Sequence, residues 1–378
     1  MSLYIQKKDF FELLQKAFPI IPLKSSLQIL SNFKLSSYEK TFEVSATDLD
    51  HFIRVFQHVD CDEKIEITVN ARKIFEIVRE IPDGIVTLDI NEGILLIKSE
   101  KGFQCKIAGS DIHDFPGFPE DEEFPIFSVS SHILKEIINK SSFAASKDES
   151  RSVLCGVFLE IKENTIGMVS TDGHRLGCSF YNNCISSDSS ISCVVSPKSL
   201  LNLSRIFNKN DETVNIVVGD KYIVFKTNSL TMYSKLFEGP YPDYLKVIPK
   251  NNPKIAVIEK SLLQNAVKRV SVLSNQKTHL IKFNFLKNIL EIAVSNREIG
   301  GEAKEEIPVF YDSDQHTIGF NSFYLLEILD IIQSEKIKFE MNTQISACLI
   351  FPYIEKEEES SISDDLFLIM PLRILDDF

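Results

Sequence analysis

Asn70-Ala-Arg-Lys-Ile-Phe-Glu-Ile-Val-Arg-Glu80 reads as a helix: Asn is a good N-cap, and apolar residues follow at helical spacing. The same design returns as Ser196-Pro-Lys-Ser-Leu-Leu-Asn-Leu-Ser-Arg-Ile-Phe207 and Asn321-Ser-Phe-Tyr-Leu-Leu-Glu-Ile-Leu-Asp-Ile-Ile332, with starts about 126 and 125 residues apart. A second helical series, Asp9 to Phe18, Ser131 to Ser142 and Ser261 to Leu273, starts at intervals of about 122 and 130. Two series keeping step over the whole chain identify a unit repeated three times, with helices expected over 8–18, 70–80, 131–142, 196–209, 260–272 and 321–333.

The segments between helices read as strands. Ile85 to Ile90 and Ile94 to Lys98 flank Asn91-Glu-Gly93, a hairpin signal, and Thr213 to Val218 and Tyr222 to Lys226 flank Gly219-Asp220. Repeat three offers Lys336 to Glu340 and Ser346 to Ile350. Proline fixes φ and blocks regular pairing, so Phe115-Pro-Gly-Phe-Pro119, with the acidic run Glu120 to Glu123, reads as a connection between units. So does Pro240-Tyr-Pro-Asp-Tyr244, leading to Pro249 and Pro253. The expectation is an α+β fold of three domains, 1–124, 125–249 and 250–378, each laying two helices on antiparallel sheet.

Composition excludes several classes. With 44% apolar and 25% charged residues the chain is an ordinary globular sequence, and no apolar run approaches the roughly 18 residues that span a bilayer. Met1 to Phe11 lacks the apolar region of a signal peptide, so a cytoplasmic location away from membranes is expected. Cysteines stand at 61, 105, 155, 178, 184, 193 and 348, with no C-x-x-C and no histidine pair at zinc spacing. Free thiols, and neither metal nor cofactor, are the reading.

The net charge of −13 argues against nucleic acid until its distribution is considered. The six expected helices hold 13 Lys and Arg against 7 Asp and Glu, a balance of +6 that leaves about −19 for the remainder. Basic helices and an acidic remainder suit a protein whose helices face phosphates, where counterion release gives sequence-independent affinity. The favoured positions are Lys24, Arg72, Lys73, Lys198 and Arg205, with Lys135, Lys140, Lys268 and Arg269 as further candidates. Glu327 and Asp330 make the sixth helix an exception.

Ser170-Thr-Asp-Gly-His-Arg-Leu176 is the most specific string. Asp172-Gly173 reads as a tight turn that leaves His174, Arg175 and Leu176 displayed at the start of the next strand. With Thr68 to Lys73, Tyr241 to Tyr244, Val247, Pro249, Leu273-Ser-Asn275, Ile318 to Asn321, Tyr324 and Met370 to Ile374, it resembles the bacterial DNA sliding clamps, the beta subunits of DNA polymerase III. The matching stretches run in family order over nearly the whole chain.

This resemblance implies a head-to-tail homodimeric ring around double-stranded DNA, with helices inside and sheets outside. It also implies a pocket for short linear motifs of the DNA polymerase III catalytic subunit, the clamp loader, and other polymerases and repair proteins. Residue by residue, the pocket would comprise Leu154, Thr171, Gly173, His174, Arg175, Leu176, Pro242, Val247, Asn321, Tyr324, Ser346, Met370, Pro371, Leu372 and Arg373. Their chemistry agrees: an apolar cup with an adaptable methionine, and a polar rim from His174, Arg175 and Arg373. Across the implied dimer seam Val272 and Leu273 would meet the strand around Phe103 to Ile107 of the other subunit. Lys246 stands where the family often has Arg, Thr278 replaces an aromatic, Ser152 and Val153 stand where the family can carry tyrosines, and Leu375 to Phe378 extend past the usual end.

A processivity clamp needs no catalytic group, because it raises the local concentration of its partners. An enzyme built on Asp172, His174 and Arg175 is disfavoured: three groups within four residues of one turn are too close for separate acid and base roles. No phosphate-binding loop, H-E-x-x-H or G-x-S-x-G accompanies them. A repeat scaffold that binds proteins without encircling DNA is the alternative, and the basic helices discriminate between the two.

Overall fold

The computed structural model describes residues 2–59, 64–120, 124–185, 189–207, 211–297, 300–355 and 363–374. Among them, helices form at all six expected places: α1 (Lys7–Ala17), α2 (Ala71–Glu80), α3 (Ser131–Ser141), α4 (Pro197–Ile206), α5 (Lys260–Ser271) and α6 (Ser322–Ile331). The expected caps form. Asn70 Oδ1 accepts the Lys73 N–H at 3.0 Å, and Asn321 Oδ1 accepts those of Phe323 and Tyr324 at 2.9 and 3.2 Å. Pro197 stands at the first position of α4, where its missing N–H costs nothing. Helix α6 stops two residues short of expectation, because Ile332 turns to extended backbone and buries its side chain in the core.

Among the described residues every strand pairing is antiparallel, and the chain forms two compact units, Met1–His132 with Arg205–Leu236 and Ile133–Ser204 with Phe237–Phe378. The first unit holds an eight-stranded sheet in the order Ile65–Asn70, Asn32–Tyr38, Thr41–Thr47, His51–His58, Leu230–Lys235, Tyr222–Lys226, Thr213–Val218, Ile126–Ser130. Its four-stranded sheet runs Ser2–Gln6, Ile85–Asn91, Ile94–Ser99, Gln104–Ala108. The predicted hairpin at 91–94 closes on Glu92 (φ 49°) and Gly93 (φ 75°), both left-handed as a two-residue loop requires. Phe75 of α2 stacks on Phe18 at 4.5 Å and meets Phe11 of α1 at 5.1 Å, joining the two helices.

The second unit holds a nine-stranded sheet, Ile191–Val195, Val157–Lys162, Thr165–Thr171, Arg175–Tyr181, Ser363–Ile369, Cys348–Tyr353, Lys336–Met341, Lys254–Glu259, Phe310–Tyr311. Its four-stranded sheet runs Gly301–Pro308, Ile289–Asn296, Leu280–Leu286, His316–Asn321. Phe283, Phe285, Phe320 and Phe339 fill the core between these sheets and helices α5 and α6. The strand expected at Ser346 begins two residues later, because Thr343 and Ser346 close a turn on each other through both backbone N–H groups.

The unit boundaries cut the middle third of the chain and miss its Pro-rich connections. The reason lies in two seams. His51–His58 pairs with Leu230–Lys235, and Arg175–Tyr181 pairs with Ser363–Ile369, so each long sheet is shared by two consecutive thirds of the sequence. Among the described residues no helix is long and apolar enough to cross a membrane.

Candidate functional site

The turn predicted at Asp172-Gly173 forms between Thr165–Thr171 and Arg175–Tyr181, with Gly173 at φ +87°. Side chains fix it. The Asp172 carboxylate accepts the N–H groups of His174 (2.9 Å) and Arg175 (3.0 Å), while the Thr171 hydroxyl donates to the Arg175 carbonyl (2.6 Å) and accepts the Gly173 N–H (3.1 Å).

The expected display holds for His174 and fails for its two neighbours. Arg175 is only 5% exposed and Leu176 is fully buried. A guanidinium out of water must find partners, and Arg175 finds them on three sides. Nε donates to Asp172 at 3.2 Å, Nη2 donates to the Phe143 carbonyl at 3.1 Å, and Nη1 donates to the Glu327 carboxylate on α6. The group also lies over the rings of Tyr324 (4.4 Å) and Phe143 (5.2 Å). Arg175 is therefore an internal brace, not the rim donor expected from the sequence.

Leu176 sits in a cluster with Val169, Cys178, Ala347, Leu349 and Leu368, against which Tyr244 and Ile248 of the Pro-rich connection pack. Pro242 and Val247 flank these two and are exposed. Beyond the last strand the Met370 N–H donates to the His174 carbonyl at 2.7 Å, and Met370 remains 37% exposed. The chain then passes Pro371 to Leu372, whose N–H donates to the Gly319 carbonyl at 2.8 Å. A Cβ at Gly319 would stand 2.7 Å from the Leu372 carbonyl oxygen, so only glycine permits this approach. Arg373 follows, exposed.

His174 stacks on Tyr324 with ring centroids 6.3 Å apart and planes 20° from parallel. Both line a cavity of about 460 Å³ with Arg175, Asn321, Lys147, Arg151 and Lys277. The structure thus brings Thr171 to Leu176, Asn321, Tyr324 and Met370 to Leu372 into one contiguous region. Ser346 adjoins it through Ala347, while Leu154 is tied locally by the Ser146 N–H bonded to its carbonyl at 2.8 Å. Lys246 pairs with Asp243 at 3.2 Å, Thr278 is exposed, and Leu375–Phe378 lie outside the described residues.

A second copy of the turn was missed by sequence reasoning. Thr47-Asp-Leu-Asp-His51 repeats Thr171-Asp-Gly-His-Arg175 in the first unit, at an offset matching the helix series. Thr47 Oγ1 donates to the His51 carbonyl (2.9 Å), Asp48 accepts the His51 N–H (2.8 Å), and Leu49 takes φ 77°. The His51 ring meets Asp48 at 3.0 Å, in the place of Arg175 Nε on Asp172. The signal was present as T-D at both positions, but Leu49 hid it by taking a backbone conformation usually left to glycine.

Among the basic candidates, Lys24, Arg72, Lys73, Lys198 and Arg205 are exposed. Helix α2 shows why: burying Ala71, Ile74 and Val78 turns Arg72 and Lys73 outward. Arg269 is exposed but neutralised by Glu305, whose carboxyl it holds below its usual range. Lys140 is not available as a DNA contact. It is half-buried and engaged, 2.8 Å from Asp365 and 3.0 Å from the Tyr181 hydroxyl. Burial alone would lower its pKa; those two partners outweigh it and carry the group up to about 12.

Of the residues expected at a dimer seam, Val272 is 79% exposed and Phe103 half-exposed, whereas Ile107 is buried and Leu273 leans on the core of its own unit. Burial pushes the Cys178 and Cys193 thiols up to about 12, away from nucleophilic chemistry, and Cys61 lies outside the described residues.

Three consecutive two-helix, antiparallel-sheet segments define a DNA clamp fold. Family models of the DNA polymerase III beta subunit match along the chain: the N-terminal domain over 1–119, the central domain over 128–243 and the C-terminal domain over 245–369. The beta sliding clamp of Pseudomonas aeruginosa is 31% identical, with 99% of this chain and 100% of that one covered; that of Caulobacter vibrioides is 29% identical with the same coverage. Crystal structures of sliding clamps from P. aeruginosa (TM-score 0.89, 30% identity) and Bacillus subtilis (TM-score 0.90, 25% identity) cover 99% of this chain and 100% of their own. The chain belongs to the beta subunit family of DNA polymerase III, the beta sliding clamps. It is a processivity factor of DNA replication, a non-catalytic accessory subunit whose partners are DNA and a DNA polymerase.

Proposed function

We propose that the protein acts in the cytoplasm as a head-to-tail homodimeric ring of three-domain chains, divided at 1–124, 125–249 and 250–378, that encloses duplex DNA against its basic helices. Lys24, Arg72, Lys73, Lys198 and Arg205 meet the phosphates. The exposed Phe103 and Val272 lie in the seam, with Ile107 and Leu273 behind them, and the edge strands Gln104–Ala108 and Gly301–Pro308 are free to pair across it. Motif peptides of the polymerase catalytic subunit, the clamp loader, and other polymerases and repair proteins bind over Leu176. Leu154, Thr171, Gly173, Pro242, Val247 and Met370 form the cup; His174, Asn321, Tyr324, Ser346 and Pro371 to Arg373 continue the groove. The observation that carries the pocket is the half-exposed Met370, bonded to the exposed His174 beside a fully buried leucine floor.

Retention on circular DNA tests the ring. The wild type, at a mass near twice 43.0 kDa, stays on a nicked circle and slips off when the circle is cut. Replacing Arg72, Lys73, Lys198 and Arg205 by Glu abolishes retention while the mass is unchanged. Full retention by that variant would favour a scaffold that does not use these helices.

A further inference from the structure

The two copies of the turn serve as each other's control. In the first, His51 meets the turn aspartate and closes the turn. The same backbone conformation thus forms with a histidine in the place of the arginine. In the second, Arg175 makes the same contact with Asp172 and then goes further, to Glu327, the Phe143 carbonyl and the face of Tyr324. These further contacts are surplus to the turn. They all reach the elements that hold the wall beside His174: α6, which carries Tyr324 and Glu327 and is capped by Asn321, and the segment after α3 that carries Phe143.

We propose that Arg175 is a positioning residue for motif binding: it clamps Tyr324 and the start of α6 against the turn, so that His174 and Tyr324 form one fixed wall. This deepens the pocket reading above and rests on it. A planar guanidinium suits the task, since it can donate along three edges while its face covers an aromatic ring. The contact with Glu327 also gives that acid a role unrelated to DNA, which explains an acidic position in a series of otherwise basic helices.

The test transplants the first copy into the second. Arg175→His keeps a donor for Asp172 and loses every contact to α6; Glu327→Gln leaves the turn untouched and loosens the clamp alone; Arg175→Lys keeps a cation beside Glu327 and Tyr324. Affinity for a labelled polymerase-tail peptide is measured by fluorescence anisotropy at matched folded concentration, with Met370→Ala reporting on the pocket itself. The His and Gln variants are expected to bind about tenfold more weakly, with Lys, which keeps the charge and loses the three-edged geometry, recovering only part of the loss. Unchanged binding in Glu327→Gln, or a loss in Arg175→Lys equal to that in Arg175→His, overturns the clamp while a weakened Met370→Ala leaves the pocket standing. If Met370→Ala binds as wild type, the pocket itself is misplaced. Should Arg175→His fail to fold, Glu327→Gln decides alone.

Discussion

The turns at 47–51 and 171–175 share three hydrogen bonds from their Thr and Asp side chains to their own backbone, and differ in what their other side chains do with the space beside them. In each, the residue before the last donor offers its carbonyl to the end of the seam strand: Asp50 to the Lys235 N–H at 2.8 Å, His174 to the Met370 N–H at 2.7 Å. At the first turn that space has a charged rim, with an aromatic ring laid over Phe52. Asp50 and Lys235 form an ion pair at 3.5 Å, and Phe52 meets Phe118 at 5.4 Å, with Arg54 over the Phe118 ring at 3.9 Å. At the second, Leu176 stands for Phe52, Met370 for Lys235 and His174 for Asp50, and methionine and histidine remain accessible. One scaffold therefore carries an exposed ion pair beside a covered phenylalanine at one junction, and methionine and histidine beside a buried leucine at the other.

The most severe way to break this comparison is to write the first turn's side chains into the second: His174→Asp, Leu176→Phe and Met370→Lys together. The polymerase-tail peptide should lose at least about a thousandfold in affinity, since a larger ring fills the leucine floor and the adaptable lid becomes a cation. Circular dichroism should report an unchanged fold. Retained binding would show that the peptide sits elsewhere.

The sequence made the helices legible because their caps and apolar spacing are local properties. Asn70 and Asn321 cap in the structure as they read in the string. The charge pattern was legible for the same reason: Arg72 and Lys73 face outward because Ala71, Ile74 and Val78 face inward. What could not be read was partnership over distance. Nothing near Arg175 announces Glu327, 152 residues on, and nothing near Lys140 announces Asp365. The seams were equally hidden, because a strand's partner is set by register across the fold. A row along one face of each long sheet shows this: Phe52, Tyr233, Val224, Val217 and Ile126 align across the first, and Leu176, Leu368, Leu349, Glu340 and Ile255 across the second. Only the second row is interrupted by charge, where Glu340 pairs with Lys338 at 2.8 Å.

Removing the turn acid sharpens the comparison energetically. Asp172→Ala deprives a buried guanidinium of one of its two carboxylates and should cost about 3 kcal/mol. Asp48→Ala removes hydrogen bonds to a histidine and its backbone N–H, and should cost about 1 kcal/mol. Hydrogen-exchange mass spectrometry in increasing urea, read on peptides spanning each turn, separates the two units. Equal losses would mean that Arg175 contributes no more to its turn than His51 does.

A further contrast separates the units by pH. The strands leading into α2 and α6 are both six residues long, and their first positions are Ile65 in one and His316 in the other, both buried. His316 Nδ1 lies 3.2 Å from Lys254 Nζ, and burial, followed by that positive neighbour, depresses its pKa to about 4 from 6.5. The folded imidazole stays neutral where the unfolded one takes up a proton. Its contribution is therefore fully present above pH 6.5 and is lost as pH falls from there toward 4, on the order of 2 kcal/mol across the window. Exchange protection in the second unit should fall over that range by this amount more in the wild type than in His316→Ile, which copies the first unit's residue. Parallel pH profiles for the two proteins would assign the acid sensitivity to the carboxylates and remove His316 from it.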